Sequence, residues 1–430
     1  MTNKRVPMNK RTFLKTSSSA LMAYQPMVEI LHRLNKDHNK FSDVELSENE
    51  DYWAEIRKGY KLKPDYINLE NGYYCFAPES TLSHFIDHVR EVNYQGSYYM
   101  RTVQWENKDK AAHKLADLMG CSHDELIITR NTTESLDTII NGYVWKPGDE
   151  AVMAEQDYGS IVGQFKLMAD RYGIVNKIIS IPNHPRSDDE LVDLYASAIN
   201  EKTRLLMICH MVNITGQILP VRKICDMAHS KGVDVMVDGA HAIAHVNFDV
   251  TDLHCDYYGA SLHKWLSTPL GAGLLYVKKE KIKYLWPTFA SWNNNPEDIK
   301  KLNHTGTHPV HTDLAINDAV DYYIAMGRDK KESRLRYLQR YWTDQVRELN
   351  GIVINTPKDM FRSCGIANVG IANMKPAEMA DTLLKRYGIW TVAIDGQGVQ
   401  GCRITPNVYT STKELDHFVQ AVKEMSISKR

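Results

Sequence analysis

Cysteine is scarce, at 7 in 430 residues, and the count is odd with no C-x-x-C spacing. A disulfide framework or a structural zinc site therefore has little support. Neither sign of charge is in excess, because 52 Lys and Arg face 53 Asp and Glu for a formal net charge of −1. Nucleic-acid binders usually carry a basic excess, so that class is not expected. No stretch approaches the ~20 consecutive apolar residues of a membrane-spanning helix. Long runs of like charge are missing, and with 43% hydrophobic and 24% charged residues the composition argues against disorder. Internal repeats and low-complexity segments are absent as well. What remains is a chain long enough for two or three domains around sizeable cores.

The first 39 residues read differently from the rest. Met8-Asn9-Lys10-Arg11-Thr12-Phe13-Leu14-Lys15 resembles a bacterial twin-arginine export signal, with Lys10-Arg11 in place of Arg-Arg. A signal should continue into roughly 7–15 apolar residues and a small-residue cleavage site. Here Ser17 to Ala23 runs into Tyr24-Gln25-Pro26, so the apolar stretch is short. A periplasmic protein and a cytoplasmic one with a basic leader are both left open.

Past the leader, Asp43 to Lys58 has the spacing of one amphipathic helix, expected to join a small domain. Short apolar runs then alternate with helical spacing. The runs are Glu125 to Thr129, Glu150 to Met153, Lys177 to Ile181, Leu205 to Cys209, Val233 to Val237, Cys255 to Gly259 and Leu274 to Val277. Helical spacing covers Thr132 to Tyr143, Ser160 to Tyr172, Asp188 to Asn200 and Val221 to Lys231. This alternation predicts an α/β domain around a mainly parallel sheet, over about 68–292. Asn293-Asn294-Asn295-Pro296 reads as a linker. Helical stretches Thr312 to Met326 and Lys331 to Asn350, strand-like Gly365 to Ile371 and Trp390 to Ala393, and a closing helix Thr412 to Ser426 predict a smaller α+β domain over 293–430.

In open parallel sheets, ligands bind at the carboxyl ends of the strands. Five predicted strands end in polar or aromatic residues: Arg130-Asn131-Thr132-Thr133, Asp157-Tyr158, His210 to Asn213, Asp238 to His241, and Ser261 to Lys264. Asp238 and Lys264, 26 residues apart, stand at the ends of successive strands. Pyridoxal phosphate (PLP) chemistry needs this pair. The lysine amine forms a Schiff base with the aldehyde, and the carboxylate keeps the pyridinium nitrogen protonated. His241, three residues after Asp238, stands within reach of the phenolic oxygen. The same two residues also suit a helix cap and a surface ammonium.

The run Val237-Asp238-Gly239-Ala240-His241-Ala242, followed by Gly259-Ala260-Ser261-Leu262-His263-Lys264-Trp265, resembles the class V aminotransferase signature of the fold-type I PLP enzymes. Within that superfamily the chain is similar to the isopenicillin N epimerase-like branch, from about Asn68 to the C-terminus. The resemblance implies a fold-type I PLP-dependent transferase-like architecture. It makes Lys264 the Schiff-base lysine and proton shuttle, and Asp238 the pyridinium partner. His241 and Asn213 become ligands of the phenolic oxygen. Asn131, Thr132 and Thr133 would cradle the phosphate, which also suits the N–H groups and dipole of a helix N-terminus. Ser261 and His263 would add phosphate contacts, and Tyr158 would stack on the pyridine face. Gly306-Thr307 would reach the phosphate of a partner subunit, implying a homodimer with shared active sites. Arg403 would grip the substrate α-carboxylate, a contact that suits a planar guanidinium.

Asn71-Gly72-Tyr73-Tyr74 is first a turn signal and second a candidate pocket wall. Arg101 reads as a solvated arginine. Gly396-Gln397-Gly398-Val399-Gln400-Gly401 matches G-x-G-x-x-G, but a dinucleotide site must follow a strand and open a helix. Here Cys402 to Pro406 reads as a strand, so a dinucleotide-dependent oxidoreductase is the weaker alternative. His304, His308 and His311 lack the spacing of a metal site. Cysteine desulfurases carry a nucleophilic cysteine upstream of the carboxylate-binding arginine, whereas Ala393 to Val399 has none. The expectation is a PLP enzyme acting at Cα of an amino acid or amino-acid-derived compound, by epimerase, lyase or aminotransferase-type chemistry. An exported enzyme tailoring a peptide natural product, as in the pyoverdine-modifying members of the branch, and a non-catalytic ligand-binding protein are the other readings.

Overall fold

A computed structural model describes residues 27–428. The segment with the twin-arginine-like motif lies outside the described residues. The expected leader boundary at residue 39 does not match the packing, however. Met27–Asp37 is a helix whose Met27, Leu31 and Leu34 are buried in the main core. The single helix expected over Asp43 to Lys58 is two, Asp43–Ser47 and Glu50–Arg57. Asn49 breaks them, its side chain accepting a hydrogen bond from Tyr52 N–H as the cap of the second.

The strands are β1 Ile67–Asn68, β2 Leu126–Thr129, β3 Glu150–Ala154, β4 Val175–Ile179, β5 Thr203–Cys209, β6 Asp234–Asp238, β7 Tyr257–Ser261, β8 Gly273–Val277, β9 Ile352–Ile354, β10 Ala367–Ile371, β11 Ile389–Trp390, β12 Val392–Gly396 and β13 Val399–Ile404. Seven form one sheet in the order β2-β8-β7-β6-β5-β3-β4. All its pairings are parallel except those of β8, which runs antiparallel to β2 and β7. Successive residues of a strand face opposite sides, and β5 uses both. Leu205 and Met207 enter one core, while Leu206 and Ile208 enter the other. Burial on both faces explains the near-continuous apolar strands.

The order β12-β13-β10-β9 makes a four-stranded antiparallel sheet with its own core, which includes Leu338, Trp342, Phe418 and Val422. β1 pairs in parallel with β11, so the chain before the large sheet adds to the small-sheet side. The helix Val310–Met326, expected with the small domain, buries Ile316, Ala319 and Val320 in the main core. The next helix, Arg328–Val346, joins the two cores. Its Leu335 packs in the main core, and Leu338, Trp342 and Val346 pack in the small one.

The glycine-rich decoy is a two-residue hairpin turn. β12 and β13 pair Gly396 with Val399, and Gln397 and Gly398 both have positive φ, at 56° and 73°. Two consecutive left-handed residues match the twist of a tight hairpin. No helix opens there, which removes the dinucleotide fingerprint.

Candidate active site

The parallel strands bring their carboxyl ends to one edge, and a cavity of about 470 Å³ lies over it. Asn131, Thr132, Thr133, Tyr158, Asn213, Asp238, His241, Ser261, His263, Lys264 and Arg403 all line this cavity. Gly72, Tyr73, Cys209, Met211, Leu270 and Gly271 complete much of the wall. Gly306 and Thr307 are not brought here. They line a second cavity of about 970 Å³, with Arg101, Trp105 and Trp292. His308 is paired with Asp313 at 2.9 Å, and the described residues hold no cluster suited to a metal ion.

Lys264 follows β7 by three residues, and its Nζ lies 3.0 Å from His241 Nε2. Trp265 Nε1–H donates to His241 Nδ1 at 3.3 Å. A neutral imidazole carries one ring proton, so this donor places it on Nε2. His241 Nε2–H then points at Lys264, whose amine accepts only when neutral. The titration directions agree. Burial holds His241 well below its ordinary range, with Lys264 adding to the effect. Burial also pulls the Lys264 amine down to about 8, against the attraction of Asp238.

Two further bonds fix the neighbouring ring. Gly365 N–H donates to His245 Nε2 at 2.8 Å, and His245 Nδ1–H donates to the carbonyl of His241 at 2.8 Å. The Trp265 indole stacks on His245 with 3.7 Å between ring centroids. Lys331 Nζ donates to the Trp265 carbonyl from the helix that joins the two cores.

Asp238 is the last residue of β6 and is buried. Burial raises its pKa, while the Ala240 N–H bond at 2.9 Å and Lys264 pull it down. That backbone bond is the carboxylate's one hydrogen bond among the described residues. It retains acceptor capacity and gains from a cationic partner.

Across the cavity, Asn131 caps the helix Thr132–Gly142 by accepting from Glu134 N–H at 2.9 Å. Thr132 N–H donates to Ser261 Oγ at 2.9 Å, and the two hydroxyls are 2.7 Å apart, which ties this helix start to the end of β7. The helix N-terminus facing the cavity is suited to an anion. Tyr158 precedes the helix Gly159–Tyr172 and is half-exposed on the wall.

Arg403, near the end of β13, is not open on all sides. Its Nε donates to Glu70 Oε2 at 3.2 Å and its Nη2 to Glu70 Oε1 at 2.5 Å. Nη1 donates to the Asn213 carbonyl at 3.2 Å. Glu70 was not singled out in the sequence, where Asn71-Gly72 read as a turn. Its only signal there was an acid beside the apolar residues of Ile67-Asn68-Leu69. Asn71 is buried, hydrogen-bonded to Thr405 and Tyr409, and does not line the cavity. Arg101 is exposed, as expected.

A partly buried lysine that is easily neutral, a buried carboxylate at the adjoining strand end and a helix N-terminus facing the same cavity fit pyridoxal 5′-phosphate. The fold and site together define a fold-type I PLP-dependent enzyme. The class-V aminotransferase family model matches residues 81–418, and the chain belongs to that family. Among its relatives, the isopenicillin N epimerase of Amycolatopsis lactamdurans is 26% identical over 401 residues, covering 87% of this chain and 98% of that one. The cysteine desulfurase of Haloferax volcanii is 24% identical over 384 residues, covering 83% and 88%. Among solved structures, the apo cysteine desulfurase of Thermococcus onnurineus superposes with a TM-score of 0.77 at 19% identity, covering 87% of this chain and 98% of that one. A C-DES protein with glycine covalently linked to its PLP cofactor gives 0.75 at 19% identity, covering 85% and 98%.

Proposed function

We propose that the chain acts at the amine-bearing carbon of an amino acid or amino-acid-derived compound, by epimerase, lyase or aminotransferase-type chemistry. The observation that carries this reading is the Lys264 amine held against His241 and beside Asp238. PLP, when bound, supplies an electron sink for the carbon that loses a substituent. Lys264, neutral from about pH 8 upward, is the nucleophile and moves the proton at Cα. Asp238 holds a proton on the pyridine nitrogen. His241 presents its Nε2–H, and with Asn213 serves the phenolic oxygen. Asn131, Thr132, Thr133, Ser261 and His263 bind the phosphate, and Tyr158 covers the ring. Arg403 faces the carboxyl end of the substrate. Gly306 and Thr307 reach the phosphate of the partner in a homodimer.

Persulfide chemistry of the desulfurase kind is disfavoured. Cys209 is the only cysteine among the described wall residues, and burial raises its thiol well above the ordinary range, with Asp157 and Asp238 adding to the rise. Cys75 and Cys402 are pushed up to about 12 by burial. None of these is a thiolate near neutrality. The Lys10-Arg11 motif supports a second reading, an exported enzyme that tailors a peptide natural product.

The purified protein supplied with PLP is expected to be yellow, and Lys264→Ala to lose the visible band. It is also expected to exchange the Cα proton of at least one substrate in D₂O. A protein that stays colourless overturns the reading. A coloured one that exchanges no proton across an amino-acid and amino-amide panel is instead a binding protein.

A further inference from the structure

We propose that Glu70 is a specificity-determining residue that turns this site away from free α-carboxylates. The favoured substrates are primary amines whose neighbouring carboxyl is an amide or an ester. The proposal rests on the reading of the cavity as a PLP site acting at an amine-bearing carbon.

A guanidinium has five N–H donors in one plane. Glu70 occupies the edge formed by Nε and Nη2, and the Asn213 carbonyl takes a third donor on Nη1. Gly72 closes on the group as well. A methyl group there would lie 2.7 Å from Cζ and 2.8–2.9 Å from Nη2 and Nε of Arg403. Two N–H groups remain, one on Nη1 and one on Nη2.

Charge is used up in the same way. The Glu70 and Arg403 side chains are 7% and 9% exposed, so the pair is nearly dry and net neutral. The other guanidinium on the wall, Arg130, is forked on Glu134 at 3.0 and 3.1 Å. Lys264 is engaged with His241 and Asp238, and its amine is needed neutral. A ligand carboxylate entering here meets no unpaired arginine and approaches a buried carboxylate that already holds the guanidinium. Glu70 is fixed in the chain and so competes at high effective concentration. A neutral carbonyl oxygen can use the two remaining N–H donors without that repulsion. The site thus discriminates through a like charge placed against one ligand class, in addition to the contacts it offers the other.

The test uses PLP-loaded holoenzyme and titration calorimetry. Dissociation constants are measured for a panel of L-amino acids and their α-carboxamides, on wild type, Glu70→Gln, and the double variant Glu70→Gln with Arg403→Met. The double variant leaves neither charge unpaired. In wild type the best amide is expected to bind about tenfold or more tightly than its parent acid, a size typical of one displaced charge contact. Glu70→Gln is expected to reverse that preference. The double variant is expected to lose the gain for acids and to weaken amide binding as well, because the two free Arg403 N–H donors are gone. The proposal is overturned if wild type prefers acids and Glu70→Gln weakens them, because Glu70 would then orient Arg403 for a carboxylate. It is also overturned if no amide binds. A protein that takes up no PLP fails the underlying reading, an outcome seen in the cofactor spectrum before any ligand is added.

Discussion

Lys331 is buried, and its ammonium donates to the Trp265 carbonyl beside the active lysine. Burial lowers its pKa to about 8 from its ordinary 10.5. Between those values the unfolded chain holds a proton that the folded chain does not, so this group adds stability as pH rises through the window. Lys331→Met removes the contribution. Wild type is therefore expected to gain stability relative to the variant between pH 8 and about 10.5, and to lose that gain below pH 8. Urea unfolding of both proteins across this range checks it; a difference that does not change with pH refutes it. Residues with chemistry were legible at this scale when the chemistry demands a residue type at a strand end, as for Asp238 and Lys264. Glu70 was not, because what defines it is a partner 333 positions away. Trp265 stood inside the recognised motif, but its part in fixing the His241 tautomer depends on a ring orientation that no spacing encodes.

At the scale of elements, β8 supports the anion cradle from behind. A methyl group on Gly273 would come within 2.7 Å of the Asn131 backbone and 2.8 Å of the Ala260 carbonyl. Neither is a flexible side chain, so Gly273→Ala is expected to displace the start of the helix Thr132–Gly142. PLP affinity should fall by about tenfold or more, as when an oriented donor set is disturbed, and thermal stability should fall with it. Gly163→Ala is the control: it lies within a helix, its methyl group meets nothing within 4 Å, and it should leave PLP affinity unchanged. Fluorescence titration with PLP measures both. The alternating elements of the large sheet were legible because strands buried on both faces are apolar throughout. The helices Glu79–Gln95 and Gln104–Met119 were not, since long polar stretches such as Glu106 to Lys110 mask their apolar spacing. The division at Asn49 went unseen because an asparagine within a helical pattern does not announce a cap.

At the scale of the whole molecule, the cavity that holds Gly306 and Thr307 is bordered by exposed aromatics. Trp292 is 94% exposed and Trp105 62%, with Tyr94 and Tyr98 close by in sequence and also exposed. Apolar surface of this kind is typical of a surface awaiting a partner. The homodimer proposed for this enzyme is expected to bury it. Trp292→Asp should shift the protein toward monomer in sedimentation velocity and weaken PLP retention; a wild type that sediments as a monomer at micromolar concentration ends the homodimer reading. The Glu70–Arg403 pair has a further consequence. Its members come from opposite ends of the chain, yet both belong to the small-sheet side: β1 pairs with β11, and Glu70 bridges to Thr405. In laboratory recombination between relatives, a crossover anywhere between them separates the acid from its base. An orphaned buried charge costs about 3–5 kcal/mol. Chimeras that inherit residues 67–72 and 389–405 from the same parent keep the pair intact, and those segments have to be inherited together.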